Sequence, residues 1–180
     1  MKDGWTLWFT GLHGSGKSTI AKEINDFLSK NSVKVILLDG DELRKTISAD
    51  LGYSIEERNE HMKRVANLCK SNSEKGILSI TSVASPTEKS REYARSVLKK
   101  FFLVYVRCPL EVAAKRDVKG HYKKAKENQK GFEHFLKVSS NFEEPKNPDI
   151  VLNTDKETVQ ETVDKLIKKL KEKGIIDMVA

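Results

Sequence analysis

The chain has 180 residues, a formal net charge of +7 and 38% hydrophobic residues, which is the size and balance of one soluble globular domain. No run approaches the ~18 apolar residues that a membrane span needs, and the start, MKDGWTLWFTG, lacks the pattern of a secretory signal. We therefore expect one cytoplasmic domain over 1–180 with no membrane partner. Cys69 and Cys108 are far apart, without metal-ligand spacing, and are interpreted as buried thiols.

The predicted elements alternate between short apolar strands and amphipathic helices. Strands are predicted at 6–10, 33–39, 76–83, 101–106 and 149–153, where β-branched and aromatic residues are frequent. Apolar residues at helical spacing form three predicted helix faces: Ile20, Ile24, Phe27 and Leu28; Met62, Val65, Ala66 and Cys69; and Val159, Val163, Leu166, Ile167 and Leu170. This alternation predicts an α/β fold, a doubly wound parallel sheet of about five strands flanked by helices.

Residues 117–148 interrupt the alternation. They are polar and basic, contain no predicted strand and end in EEPKNPD. A stretch of this length inside a compact domain is expected only where it has a function, so we predict a partly helical lid at about 117–148. The basic run at 115–130 has a simpler alternative, a solvated helix face.

The segment GLHGSGKS at 11–18 fits the pattern G-x-x-x-x-G-K-[ST]. It lies directly after the first predicted strand and before the first helix, which is the context that a phosphate loop requires. Glycines let backbone N–H groups turn toward phosphates, the lysine reaches the outer phosphates, and the serine can ligate Mg²⁺. Because Asn-Lys-x-Asp, the usual guanine signal, is absent from the sequence, a small kinase is the favoured interpretation.

The segment LLDGDELR places Asp39 and Asp41 at the end of the second predicted strand, where α/β sheets bind their ligands. A carboxylate there can orient an acceptor hydroxyl or help to hold Mg²⁺, and Arg44 can meet an anionic group on the acceptor. The alternative is an Asp-Gly turn followed by an Asp helix cap.

Six blocks follow one another in the order found in adenylylsulfate (APS) kinases, which phosphorylate the 3′-hydroxyl of adenosine 5′-phosphosulfate. They are GLHGSGKST, LDGDELR, DLGYSIEERNEHMKRVA, ITSVASPTEKSREYAR, VYVRCPLEVAAKRDVKGHYKKA and EEPKNPDIVLNT. The chain resembles this family from about residue 4 to about residue 170. The DGD with its arginine and the RDVKG-x-YKKA lid are specific, so the likeness extends well beyond a shared phosphate loop.

The resemblance implies ATP as phosphoryl donor, Mg²⁺ as cofactor, a small nucleotide acceptor, no nucleic-acid partner and a homodimer. Asp41 would assist the attacking hydroxyl, with Lys17 and Asp39 as the other catalytic residues and Ser18 and Asp41 as metal ligands. The implied ATP contacts are Gly14, Ser15, Gly16, Lys17, Ser18 and Thr19, with Arg116 and Lys119 near the lid. The implied acceptor contacts are Arg44, Tyr53, Arg58, His61, Ser85, Lys119 and Phe132.

Several positions depart from the family pattern. Tyr53 stands for Phe and His61 for Asn, while Ala84-Ser85-Pro86 stands for Ile-Ser-Pro. Lys130-Gly131-Phe132 is retained, but the Thr-Gly-Ile-Asp that follows it in the family is missing. Phe132 is therefore the best candidate to stack on the acceptor base, with Phe135 and Phe142 as substitutes, although each could instead serve lid packing.

These departures leave two alternatives open. A kinase of the same fold could use another nucleotide acceptor, such as a cytidine diphosphate derivative. A nucleotide- or RNA-binding module without turnover could use the basic stretch at 115–130 for affinity.

Overall fold

The structure is a computed structural model that describes residues 3–117, 119–130, 132, 135 and 141–176. Within these residues the strands are β1 Thr6–Thr10, β2 Val35–Asp39, β3 Leu78–Ser82, β4 Phe101–Arg107 and β5 Ile150–Asn153. The helices are α1 Lys17–Lys30, α2 Gly40–Lys45, α3 Ile55–Glu74, α4 Glu88–Val97, α5 Leu110–Arg116, α6 His121–Lys126 and α7 Val159–Glu172.

The five strands form one parallel sheet in the order β2-β3-β1-β4-β5. The predicted doubly wound parallel sheet is therefore confirmed. β1 is central and every one of its residues is buried, because it has a strand on each side and helices over both faces. This burial explains its near-continuous apolar sequence, and it places the segment after Thr10 at the middle of the sheet edge where the strands end.

Two apolar cores cover the two faces of the sheet. On one face Leu7 and Phe9 of β1 pack in a cluster with residues of α1 and α7, such as Ile24 and Leu166. On the other face Trp8 packs with residues of α3 and α4, because successive side chains of a strand point to opposite faces. Ten of the thirteen residues on the predicted helix faces belong to these cores, and Phe27 and Ile167 pack against one of them. Val159 was predicted on the third face but is exposed, because it lies at the start of α7. Cys69 and Cys108 are both buried free thiols, as expected.

Two long helices begin at capping boxes. Ser54 caps α3 with Glu57, and Thr158 caps α7 with Glu161, each pair exchanging side-chain and backbone hydrogen bonds. The caps fix where the preceding loops end, and both loops lead to the cavity described below.

The predicted lid is helical at α6, and the segment 141–149 leads back to β5. The remaining predicted lid positions, 118, 131, 133–134 and 136–140, lie outside the described residues. Among the helices that the structure describes, none has the length and apolar character needed to cross a bilayer.

Candidate active site

A cavity of about 910 Å³ lies at the edge of the sheet where β1, β2 and β3 end. This is the edge at which parallel α/β sheets bind ligands. All the predicted site residues except Ser15 line it: Gly14, Gly16, Lys17, Ser18, Thr19, Asp39, Asp41, Arg44, Tyr53, Arg58, His61, Ser85, Arg116, Lys119 and Phe132. The residues that the sequence assigned to donor, acceptor and metal thus share one site.

The phosphate loop has the backbone conformation that its glycines predict. Gly14 and Gly16 have φ values of 78° and 95°, a left-handed region that residues with a Cβ rarely adopt. A Cβ at Gly14 would also lie 2.4 Å from the carbonyl oxygen of Ala113 in α5. The loop is therefore packed closely against α5, and glycine is required at position 14 on both grounds.

Lys17 is buried, and its ammonium group caps the loop. Its Nζ donates to the carbonyl oxygens of Gly11 at 2.9 Å and Leu12 at 2.6 Å. Burial lowers its pKa to about 8, against the opposing influence of the Asp41 carboxylate. The side chain consequently remains mainly protonated at neutral pH, as a phosphate-binding lysine must be.

Hydroxyl and carboxylate oxygens meet beside the loop at Ser18. Its Oγ is 2.9 Å from Ser82 Oγ and 3.5 Å from Asp39 Oδ2. Asp39 also caps α2, because its Oδ1 accepts from the backbone N–H groups of Asp41 at 2.9 Å and Glu42 at 3.3 Å. The carboxylate within hydrogen-bonding distance of Ser18 is thus that of Asp39, while the metal role of Asp41 stays a prediction.

Asp41 is paired instead with the lid. Its Oδ2 accepts a short hydrogen bond from Lys119 Nζ, and both side chains are partly exposed. Burial alone would raise the pKa of Asp41, but the bond from Lys119 and the nearby charges of His13 and Lys119 outweigh it and lower that pKa. Asp41 is thus an ionised carboxylate at the cavity wall, and Lys119 connects the lid to it.

The far end of the cavity is cationic around an exposed aromatic ring. The guanidinium carbons of Arg44 and Arg58 lie 5.1 Å and 5.4 Å from the centroid of the Tyr53 ring. Arg44 donates to the Gly52 carbonyl and Arg58 Nε to the Tyr53 carbonyl, so both guanidinium groups are held in place. Burial and the neighbouring Arg44 lower the pKa of Arg58 to about 10, which leaves it charged. This end can bind an anionic group beside an aromatic surface.

Two residues that were predicted to contact the acceptor form hydrogen bonds within the protein. His61 is 2% exposed, and its Nδ1 lies 2.8 Å from Ser48 Oγ. Ser85 is fully buried: its hydroxyl accepts from Trp8 Nε1 at 3.1 Å and donates to Thr10 Oγ1 at 2.7 Å. Both residues border the cavity, but their contact with an acceptor stays a prediction, and these bonds show that each also supports the wall.

The three candidate stacking residues lie in two different places. Phe132 and Phe135 line the cavity and belong to an apolar cluster with Tyr122 and Ala125. Phe142 instead stacks on Tyr105 with ring centroids 6.1 Å apart, and the guanidinium carbon of Arg91 lies 5.6 Å from the centroid of the Phe142 ring. Phe142 is absent from the lining of the main cavity, so its role as a substitute for Phe132 is not supported by its position.

Two residues that the sequence did not single out hold the loop and its surroundings. Thr154, just after β5, donates from Oγ1 to the Ser15 carbonyl at 2.7 Å, and its own carbonyl accepts from Arg116 at 2.6 Å. His13 of the loop contacts lid residues His121 and Phe135. The signal that could have identified Thr154 is its place at the carboxyl end of a predicted strand. The lid contact of His13 has no comparable signal in the sequence.

Comparison with known proteins agrees with this geometry. The family described as adenylylsulphate kinase matches residues 3–153. The chain belongs to this family. The adenylyl-sulfate kinase of Halothermothrix orenii is 42% identical to it over 175 residues, which cover 97% of this chain and 94% of that one. The adenylyl-sulfate kinase of Clostridium acetobutylicum is also 42% identical, covering 96% of this chain and 86% of that one.

A solved member of the adenylylsulphate kinase family has the same fold. The APS kinase of Mycobacterium tuberculosis, in complex with AMPPNP and APS, superposes with a TM-score of 0.86 at 34% identity. The match covers 95% of this chain and 99% of that one. The family relationship therefore extends to nearly the whole length of both chains.

Proposed function

We propose that the protein transfers the γ-phosphoryl group of Mg·ATP to the 3′-hydroxyl of adenosine 5′-phosphosulfate. The products are 3′-phosphoadenylylsulfate and ADP. The acceptor oxygen forms the new bond to phosphorus, the bond to the bridging oxygen of ADP breaks, and the hydroxyl proton leaves toward Asp41. The observation that carries the proposal is the single cavity in which the phosphate loop, Asp41 and the Arg44–Tyr53–Arg58 group lie together.

The donor side supports this reaction through position and charge. Lys17 and the loop N–H groups are placed to neutralise the phosphates, and Arg116 and Lys119 add positive charge from the lid side. Positively charged groups at the transferred phosphoryl stabilise the charge that spreads over its oxygens during transfer. The protein needs no covalent intermediate for such a step.

Mg²⁺ fits the residues beside the loop. Among the described residues no group of three or more His, Cys, Asp or Glu could hold a metal ion alone. Mg²⁺ in kinases is typically held by one or two protein oxygens together with substrate phosphates, and Ser18 with Asp39 offers such a pair. When bound, Mg²⁺ would neutralise the charge of the donor phosphates. We therefore assign Ser18 and Asp39 to it and leave Asp41 to the acceptor hydroxyl.

The acceptor side supports a nucleotide with an anionic 5′ group. Arg44 and Arg58 can bind the phosphosulfate, and Tyr53 and Phe132 present rings on which a base can stack. The relative solved with APS has the same fold, which favours this acceptor over a cytidine diphosphate derivative.

The deciding experiment measures ADP release from purified protein and Mg·ATP with adenylylsulfate, AMP, CMP or a cytidine diphosphate as acceptor. We expect turnover with adenylylsulfate. Turnover with only another acceptor would contradict the proposed substrate. No ADP release with any of the four compounds would contradict the proposed activity.

Two variants test the assigned roles. Lys17→Ala and Asp41→Asn should each lower kcat by about 10²–10⁴-fold, because a charge or a proton acceptor needed at the reacting centre is lost. The matched control is Asp50→Asn, which removes an exposed carboxylate that is paired with Arg64 and does not line the cavity. Asp41→Asn should leave stability within about 1 kcal/mol, because its ion pair is partly exposed. A wild-type kcat in the Asp41→Asn variant would show that Asp41 does not assist the reaction.

A further inference from the structure

The phosphate loop and the lid meet at His13. Its imidazole lies 5.2 Å from the His121 ring and 5.0 Å from the Phe135 ring, measured between centroids. Its backbone carbonyl accepts a hydrogen bond of 3.0 Å from the Tyr122 hydroxyl. The side chain and the main chain of one loop residue therefore both contact the lid.

The lid residues that His13 contacts also contact one another. The Tyr122 and Phe135 rings are edge to face with centroids 4.9 Å apart, and His121 lies 5.4 Å from Phe132. Tyr122 and Phe135 are almost completely buried, at 3% and 4% exposure. This lid cluster, Tyr122, Ala125, Phe132 and Phe135, is separate from the two cores of the sheet. Because the lid cluster belongs to neither core, its contact with the phosphate loop helps to fix its position.

The position of His13 in the loop makes this contact sensitive to a bound nucleotide. His13 immediately precedes Gly14, whose backbone has φ 78°, in the segment whose N–H groups are proposed to bind the phosphates. A ligand that fixes the loop backbone also fixes His13, and it thereby favours the docked arrangement of the residues that pack on it. Phe132, the proposed stacking residue for the acceptor base, belongs to the same cluster.

We propose that His13 is a positioning residue that couples occupancy of the phosphate loop to the lid, so that donor binding prepares the acceptor end of the cavity. The identity of the acceptor rests on the function proposed above, whereas the coupling can be measured with the donor nucleotide alone. By thermodynamic reciprocity, the same contact makes acceptor binding tighten the nucleotide.

The test is amide hydrogen exchange in α6, measured with and without Mg²⁺ and a non-hydrolysable ATP analogue at a concentration that saturates each variant. In the wild type the analogue should slow exchange in α6 by about tenfold, and in His13→Ala by less than about twofold. His13→Phe keeps an aromatic ring and should restore most of the effect. Tyr122→Phe, which loses only the hydroxyl, should reduce it partly.

Lys126→Ala is the matched control, because it changes an exposed side chain of the same helix and should behave as the wild type. A wild-type response in His13→Ala, or no response of α6 in the wild type, would overturn the coupling.

A second measurement separates this inference from the proposed function. The ratio of adenylylsulfate affinities with and without ADP should exceed one in the wild type and approach one in His13→Ala. If the ratio in His13→Ala equals that of the wild type, the coupling through His13 is wrong. If adenylylsulfate does not bind at all while the analogue still protects α6 through His13, the proposed acceptor is wrong and the coupling stands.

Discussion

His61 is a neutral histidine that supports the proposed acceptor end of the cavity. Burial, followed by the charge of Arg44, lowers its pKa to about 3, although a hydrogen bond to the Gly40 backbone acts in the opposite direction. Its bond with Ser48 connects α3 to the turn after α2, the helix that contains Asp41 and Arg44. An uncharged ring can make these bonds at any pH at which the protein works.

This burial makes stability depend on pH. The unfolded chain protonates His61 below about pH 6.5 and the folded chain does not until about pH 3, so the unfolded state binds more protons in that window. As the pH is lowered from about 6 to about 3, the contribution of His61 to the free energy of unfolding should therefore decrease by about 1.4 kcal/mol per pH unit.

The matched variant is His61→Asn, which does not titrate. Its free energy of unfolding in urea should decline less steeply with falling pH than that of the wild type, and the difference isolates His61 because the other histidines are unchanged. Parallel curves for the two proteins would show that His61 is not buried as a neutral group.

Individual residues show where sequence reasoning is sufficient and where it fails. Lys17 and Ser18 were predicted because one short motif fixes their positions at the end of the loop, and Asp39 was predicted separately because it ends the second strand. The position of Ser85 next to the acceptor was also predicted, but its hydroxyl points to Trp8 and Thr10 of β1. That direction depends on β1 lying beside β3, a pairing between segments that are distant in sequence, which no local pattern specifies.

At the scale of elements, the capping box of α7 should stabilise the fold measurably. Thr158 Oγ1 accepts from the Glu161 backbone N–H at 3.2 Å, and α7 packs Leu166 and Leu170 into the core on one face of the sheet. Thr158→Ala should lower the free energy of unfolding by about 1 kcal/mol, because the exposed N-terminus of α7 loses its cap.

Thr158→Ser retains a hydroxyl at the same position and is the control. Denaturant titration of both variants without nucleotide gives the comparison, since Thr158 also lines the cavity. Equal stability of the alanine and serine variants would mean that the cap contributes nothing measurable.

The strands were predictable as elements because each is a short apolar run with clear ends. Their observed bounds differ from the predicted ones by up to two residues, as at 33–39 against Val35–Asp39, where Val33 and Lys34 precede the first ladder pair. The lid was harder to predict. Its only strong local signal was the basic segment that forms α6, and its position over the cavity arises from contacts with residues about a hundred positions away, such as the bond from Tyr122 to His13.

At the scale of the whole molecule, the net charge of +7 favours the approach of anions. The cavity lining adds six basic side chains, Lys17, Arg44, Lys45, Arg58, Arg116 and Lys119, against five acidic ones, Asp39, Asp41, Glu42, Asp117 and Glu157. A positive field around a cleft raises the association rate of anionic ligands and is screened by salt. We expect the on-rate of ADP, measured by stopped flow, to fall about threefold to tenfold between about 20 and 200 mM salt.

Two charge reversals refine this expectation. Lys45→Glu at the cavity should slow ADP association more than Lys168→Glu, an exposed change on α7, although each alters the net charge by two. Equal effects would indicate that net charge, and not its place, controls the rate. A fall in equilibrium affinity of about 10³ for RNA over the same salt range would instead favour the nucleic-acid-binding alternative.

The bond between Thr154 and the carbonyl of Ser15 spans 139 positions of the chain, and the strand that precedes the loop pairs with β3 and β4. During translation the loop sequence leaves the ribosome before its supporting strands β3 and β4, and Thr154 follows later still. Until Thr154 has been made, the nascent chain therefore contains the phosphate-binding motif without the architecture that shapes it. Retention of nucleotide should begin only after Thr154 has left the ribosome, and a chain released before that point would lack it.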